Sequence, residues 1–141
     1  MKFKKVFVDG NVIIDIFDKQ RPGHHHSVEV IRLFLLNKVE IWTSADLITT
    51  VYYVLAKINK KKAFSDIKKI MELFGIISLS DEDIKTAIFL MDRDKKFKDL
   101  EDTVQYVLAK KKGCDLILSN DKSFYSPDIE VLSPKQVLEY Q

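Results

Sequence analysis

Acidic residues occur at several points where an apolar run of the chain ends. Asp9 closes the run KVFVD, and Asp121 follows the run LILSN. Asp99 and Asp102 stand three residues apart at the start of a helix-like segment, so they share one helix face. Carboxylates are hard oxygen ligands that suit Mg²⁺ together with a substrate phosphate. The pattern therefore indicates a candidate divalent-metal site that hydrolyses a phosphate ester.

Each acid also has a structural interpretation. Asp9 precedes a glycine, which is typical of a turn, and its side chain could cap the next helix. Asp99 and Asp102 resemble a capping box at the positive end of a helix dipole. Taken singly, each acid favours the structural interpretation. Taken together, acids at the strand ends of one sheet favour a shared site.

The elements that would position these acids alternate along the chain. Strands are predicted over 5–9, 40–43, 75–79, 116–119 and 129–133, and helices near 28–35, 47–58, 67–74, 84–91, 100–108 and after Ser133-Pro134. Such alternation predicts a parallel sheet covered by helices on both sides, in a single domain over residues 1–141. Ligands of these sheets lie at the carboxyl ends of the strands, which is where the acids fall.

Composition limits the class of protein. The 141 residues are 46% apolar and carry a net charge of +2, with 20 Lys against 3 Arg. The lysine clusters are more typical of solvated helix faces than of a nucleic-acid surface. No apolar run is long enough for a membrane span, and no secretory signal is evident. With one cysteine, Cys114, expected to be buried, we expect a cytoplasmic protein without a membrane partner.

The sequence lacks the residues that several other catalytic classes require. The histidines, His24, His25 and His26, share one predicted loop over 20–27, and the triplet has no predicted role. A serine or cysteine hydrolase, a zinc site and a nucleotide-binding glycine loop are therefore disfavoured. A phospho-aspartate phosphatase needs a second Asp where Asn11 stands, and a receiver domain needs an acidic pair and a lysine that the pattern does not supply.

Three stretches resemble the PIN-domain ribonucleases, and the size and layout resemble the VapC-like toxins of toxin–antitoxin pairs. FVDGNVIIDIF is similar to the opening strand of that family, and TSADLITTVYYVLAK to its second strand end and the helix that follows. DLEDTVQYVLAKKKGCDLILSND is similar to the acidic helix start, the helix and the strand that ends in a hydroxyl residue, Asn or Arg, and Asp. The third match is the most specific.

The resemblance implies a three-layer α/β/α PIN-like fold with a central parallel sheet of about four to five strands. It also implies an endoribonuclease dependent on Mg²⁺ or Mn²⁺ that cuts single-stranded or looped RNA, leaving 5′-phosphate and 3′-hydroxyl ends. By position, Asp9, Asp102 and Asp121 would be the catalytic acids and metal ligands.

Three further residues receive supporting roles from the same resemblance. Asn11 would orient Asp9 or a water on the metal. Asp99 would be an outer acid, and Ser119 would contact such a water.

One position departs from the family pattern. The family usually has Glu or Asp immediately before the apolar-Tyr-Tyr segment, where this chain has Thr50. Asp46 lies one turn earlier on the same side of the helix, with its carboxylate starting roughly 6 Å away along the axis. Three outcomes stay open: three acids suffice with weaker metal binding, Asp46 or Asp99 substitutes, or the chain has lost catalysis and acts as an RNA-binding or protein-interaction module.

The partners expected from the resemblance are an RNA substrate, a small antitoxin protein and a second copy of the chain in a homodimer. An exposed apolar face on the helices over 45–73 would support the two protein partners, although the helical period alone does not separate such a face from the core.

Overall fold

The computed structural model describes residues 1–140, and Gln141, the last residue of the predicted domain 1–141, lies outside them. The strands of the described residues are β1 (Lys5–Val8), β2 (Glu40–Ser44), β3 (Gly75–Ile77), β4 (Leu116–Leu118) and β5 (Glu130–Leu132). The helices are α1 (Gly10–Phe17), α2 (His24–Leu36), α3 (Ala45–Ala56), α4 (Lys60–Leu73), α5 (Asp81–Arg93), α6 (Leu100–Lys112) and α7 (Pro134–Glu139).

The strands form one parallel sheet in the order β3-β2-β1-β4-β5. The predicted α/β/α architecture and its sheet of four to five strands are thereby confirmed. Strand order reverses between β1 and β4, and in such sheets a crevice opens beyond the carboxyl ends at that point. Val8 of β1 pairs with Leu118 of β4, so the two strands end level with each other. The residues that follow them are placed side by side at the crevice.

Alternate residues of the central strands face opposite helical layers, as the period of a strand requires. Val8 and Leu118 belong to a buried cluster with α1, α2, α3, α4 and α7. Phe7 and Ile117 belong to a second cluster, which includes α5 and α6. Because both faces of the sheet are covered, its central strands read in the sequence as continuous apolar runs.

The segment 20–27, predicted as a loop, is helical from its fifth residue onward. Helix α2 begins at His24, whose Nδ1 lies 2.8 Å from the backbone oxygen of Asp15. The N-cap position is Gly23, which offers no side-chain cap. The loop prediction was therefore wrong for 24–27 because the usual capping signal is missing there.

The single cysteine lies where the sequence predicted it, in the core. Cys114 is buried, and burial raises the pKa of its thiol to about 12. A thiol of this kind stays protonated at neutral pH and is a poor nucleophile. Among residues 1–140, no helix is both long and apolar enough to cross a bilayer.

Candidate active site

Asp9 lies at the centre of the crevice, directly after β1. It is the N-cap of α1, and its carboxylate accepts the N–H of Gly10 at 2.6 Å. It also accepts the hydroxyl of Ser119, the residue after β4, at 2.7 Å. Burial raises the pKa of Asp9, although these hydrogen bonds oppose the shift. The cap interpretation and the site interpretation of Asp9 therefore describe the same carboxylate.

Ser119 and Asn11 tie the end of β1 to the loop after β4. The hydroxyl of Ser119 donates to Asp9 and accepts the N–H of Asp121 at 3.0 Å. The amide of Asn11 donates to Asp9 at 3.2 Å, and its oxygen accepts the N–H of Asn120 at 3.2 Å. Both side chains therefore touch Asp9 directly and help to fix its orientation.

Asp102 sits in the first turn of α6. The N-cap of this helix is Asp99, whose carboxylate accepts the N–H of Asp102 at 2.9 Å. Burial raises the pKa of Asp102 to about 7, and repulsion from Asp99, Asp121 and Asp9 adds to the effect. A carboxyl that titrates near neutral pH is typical of crowded acids at a functional site.

The pKa of Asp121 shifts in the opposite direction. The hydroxyl and the N–H of Ser123 donate to its carboxylate at 2.7 and 2.9 Å, and they lower its pKa. Asp102 and Asp121 also share a hydrogen bond, which lowers the pKa of Asp121 and raises that of Asp102. At mildly acidic pH the protonated Asp102 therefore donates to the ionised Asp121.

The acids gather around one cavity of about 380 Å³ at the carboxyl edge of the sheet. Of the residues selected from the sequence, those that line it are Asp9, Asn11, Thr50, Asp99, Asp102 and Asp121. Ser119 stands behind it and holds Asp9. The structure thus brings the predicted acids of β1, β4 and α6 to one place.

Asp46 is not among the residues that line this cavity. One of its carboxylate oxygens is buried without a hydrogen-bond partner among the described residues, and its backbone oxygen accepts the hydroxyl of Thr50 at 3.4 Å. Asp46 nevertheless lies close enough to Glu101, which lines the cavity, to help raise the pKa of that carboxyl.

Glu101 is an acid of the site to which the sequence assigned no role. It lines the same cavity as Thr50, and its pKa is raised by burial, by Asp9, by Asp99 and by Asp46. Its neighbour Asp102 matched the family pattern, whereas the side chain one residue earlier is expected about 100° away around a helix. The start of α6 instead turns both carboxylates toward the cavity.

Gln105 is a second residue near Asp9 to which the sequence assigned no role. It lies one turn after Asp102 on α6, is 1% exposed, and neither of its amide atoms has a well-formed hydrogen bond among the described residues. Its amide nevertheless lies close enough to Asp9 to lower the pKa of that carboxyl. A buried amide without a good partner costs free energy, so its place beside Asp9 suggests a role at the site.

An ion pair between a buried carboxylate and a partly exposed arginine supports the loop that carries Asp121. Asp15 is 3% exposed and accepts the Nε of Arg21 at 2.5 Å and the amide of Asn120 at 2.8 Å. A Cβ on Gly23 would lie 2.2 Å from the Asp15 carboxylate, so only glycine fits there. Asp15 therefore holds the loop after β4 from behind the site.

The donor set fits a hard divalent cation such as Mg²⁺ or Mn²⁺. Its atoms are carboxylate oxygens with an amide and a hydroxyl, and burial together with repulsion from neighbouring acids already raises the pKa of Asp102. Within residues 1–140, no three acidic, histidine or cysteine side chains already stand as a ready-made ligand set. The carboxylates of Asp102 and Asp121 would therefore have to turn toward a cation.

The raised pKa of Asp102 predicts how metal binding depends on pH. The shift runs from 3.8 to about 7, so the stability that the neutral carboxyl contributes to the metal-free protein is lost as pH rises through that range. A cation requires the ionised form, so stabilisation by Mn²⁺ should grow between about pH 5.5 and pH 8. Thermal melts with and without Mn²⁺ at both pH values test this. In Asp102→Asn the gain with pH should be much smaller, and an equal gain in that variant would contradict the assignment.

Comparison with known proteins identifies the family. A model of the PIN domain matches residues 5–123. Over 139 residues the chain is 63% identical to Ribonuclease VapC1 of Aquifex aeolicus (strain VF5), covering 99% of this chain and 96% of that relative. The chain therefore belongs to the PIN domain family. Within it, the chain is similar to the VapC proteins, which confirms the resemblance seen in the sequence.

Solved structures share the fold at low sequence identity. A VapC20 structure from Mycobacterium tuberculosis, described as a Sarcin-Ricin loop cleaving toxin, has a TM-score of 0.68 at 15% identity and covers 84% of this chain and 92% of that one. FitAcB from Neisseria gonorrhoeae has a TM-score of 0.70 at 18% identity, covering 92% of this chain and 98% of that one. VapBC2 from Rickettsia felis, solved with a DNA fragment from the promoter, has a TM-score of 0.68 at 15% identity and covers 92% and 98%.

Proposed function

We propose that this protein is a metal-dependent endoribonuclease and the toxin of a toxin–antitoxin pair. The observation that carries the proposal is the meeting of Asp9, Asp102 and Asp121 around one cavity at the switch point of the sheet. The 63% identity to Ribonuclease VapC1 over nearly the whole chain supports the same conclusion.

In this proposal Asp9, Asp102 and Asp121 hold Mg²⁺ or Mn²⁺. When bound, the cation would polarise a phosphoryl oxygen and lower the pKa of a water. Asp9 is fixed for this role by Ser119 and Asn11. Asp102 would hold the cation in its ionised form, together with Asp9 and Asp121.

Glu101 supplies the carboxylate that Thr50 lacks. Both residues line the cavity, and Glu101 lies within electrostatic range of Asp9. Of the three outcomes left open by the sequence, we therefore favour an active enzyme in which another acid substitutes, and we replace Asp46 in that role by Glu101.

The protein partners of the proposal rest on an exposed apolar face of α3 and α4. Large apolar side chains on or beside these helices are 53–65% exposed: Tyr53, Ile58, Phe64 and Met71. Helices α3 and α4 pack against each other, which makes these exposed side chains candidates for an interface. We assign it to a homodimer and to a small antitoxin. The buried free thiol is compatible with the cytoplasmic location expected from the sequence.

Cleavage of a structured RNA pool by the purified protein, titrated with Mg²⁺ and Mn²⁺, tests the proposal. We expect metal-dependent cutting that leaves 5′-phosphate and 3′-hydroxyl ends, which end-specific labelling distinguishes. Because Thr50 stands where the family usually has an acid, we retain a second candidate function, that of a non-catalytic RNA-binding or interaction module. RNA binding without cutting at any metal concentration would favour that second candidate.

A further inference from the structure

Two further cavities share lining residues with the carboxylate cavity. One, of about 480 Å³, borders Asp121 and is lined by Lys122 and Lys135. The other, of about 90 Å³, is lined by Lys96 and Lys98. We call them the Lys122–Lys135 cavity and the Lys96–Lys98 cavity.

The three cavities adjoin one another through these shared residues, and we call the three together the trough. Asp121 lines both the carboxylate cavity and the Lys122–Lys135 cavity. Asp99 and Asp102 line both the carboxylate cavity and the Lys96–Lys98 cavity. The trough therefore has acids in the middle and a pair of lysines at each end.

The four lysines are available for a ligand. Each is exposed, and in the part of the chain that the structure describes none of them forms an ion pair with a carboxylate. The acids between them repel a polyanion, so phosphates on either side of the centre need cations of this kind. Lysine suits such contacts because its mobile point charge meets phosphate without reading sequence.

One aromatic ring favours a nucleic acid strand over other polyanions. Tyr125 lines the Lys96–Lys98 cavity and is partly exposed. Its hydroxyl donates to Asp94 at 2.8 Å, and its ring packs edge-on against Phe97 with centroids 4.7 Å apart. Lys96 Nζ lies over this ring, 6.0 Å from its centroid, so the ring offers a stacking surface for a base once that ammonium moves to a phosphate.

We propose that the trough binds a single strand of RNA that crosses the carboxylate cavity, with its backbone held by Lys96 and Lys98 on one side and by Lys122 and Lys135 on the other. The proposal rests on the proposed ribonuclease function and adds the path of the substrate. It also revises the sequence-based preference for solvated faces at Lys96 and Lys98, which belong to one of the lysine clusters.

Fluorescence anisotropy with a labelled single-stranded RNA tests the path, using the full chain carrying Asp9→Asn so that the RNA stays intact. Reversing either lysine pair to Glu should weaken binding by about 10-fold or more at low salt and reduce the salt slope by about 1.4, because each lost contact to a single strand contributes about 0.7. Tyr125→Leu should weaken binding but leave the salt slope unchanged, since stacking does not release counterions.

The matched control replaces by Glu two lysines at the amino ends of the strands, opposite the carboxyl ends where the trough lies. Lys4 and Lys38 are exposed and precede β1 and β2, so their reversal changes net charge equally but lies away from the trough. A salt slope reduced equally by the control, or a loss confined to one pair, would overturn the proposed path while the ribonuclease function stands. No RNA binding by the Asp9→Asn parent would overturn the path, while cleavage by the wild-type protein decides the ribonuclease function separately. If a reversed pair fails to fold, Lys→Gln at the same positions removes only the charge and decides in the same way.

Discussion

Replacing Asp9 by Asn should lower RNA cleavage by roughly a thousandfold or more, because a lost cation removes several kcal/mol of transition-state stabilisation. Asp9 is the acid on which the site converges, since Ser119, Asn11 and the N–H of Gly10 all bond its carboxylate. Stabilisation of the protein by Mn²⁺ in a thermal melt should disappear in the same variant. Single-turnover cleavage at saturating metal measures the first effect.

The folded state of this variant needs its own check, because Asp9 also caps α1. Asn is a good N-cap, and the substitution removes a buried carboxyl whose pKa is raised by burial. The melting temperature of the metal-free protein should therefore stay within a few degrees of wild type. Asp92→Asn on the exposed face of α5 is the matched control and should cleave normally. Cleavage within tenfold of wild type in Asp9→Asn would refute the assignment of Asp9 as a ligand.

Replacing Glu101 by Gln should lower kcat/KM for RNA by roughly 10–100-fold and raise the Mn²⁺ concentration needed for half-maximal activity. The reason is that Glu101 lines the cavity together with Thr50, where burial and its acidic neighbours raise its pKa. Removing its charge leaves the site with fewer ionised oxygens for a cation. Glu72→Gln, an exposed acid on α4, is the matched control and should behave as wild type.

A second substitution separates this role from a structural one. Adding Thr50→Glu to Glu101→Gln restores a carboxylate from the other wall of the cavity, so activity and the metal requirement should recover at least in part. A merely structural role of Glu101 would not be rescued from α3. Activity of Glu101→Gln within twofold of wild type would show instead that three acids suffice.

The fold was largely predictable because its signals are local and repeated. Apolar β-branched runs alternate with helical stripes, and Ser133-Pro134 predicted the start of α7, where Ser133 forms a capping box with Gln136. The parallel sheet then placed Asp9 and Asp121 at neighbouring strand ends. The start of α2 at His24 was missed because Gly23 supplies no capping side chain.

The site was predictable only in part, because several of its residues act through contacts between distant segments. Gln105 reads as an ordinary polar residue of α6, and its burial beside Asp9 appears only when α6 packs against the sheet. The Asp15–Arg21–Asn120 contacts join residues 105 positions apart in sequence. Glu101 lies next to a recognised acid, but its orientation depends on how α6 begins.

Anomalous diffraction from a Mn²⁺-soaked crystal tests the central claim most directly, namely that Asp9, Asp102 and Asp121 form one divalent-cation site. We predict a manganese peak within about 2.0–2.3 Å of oxygens from these carboxylates, with the Asp102–Asp121 hydrogen bond opened. A peak elsewhere, or none at a pH where Asp102 is ionised, would contradict the claim.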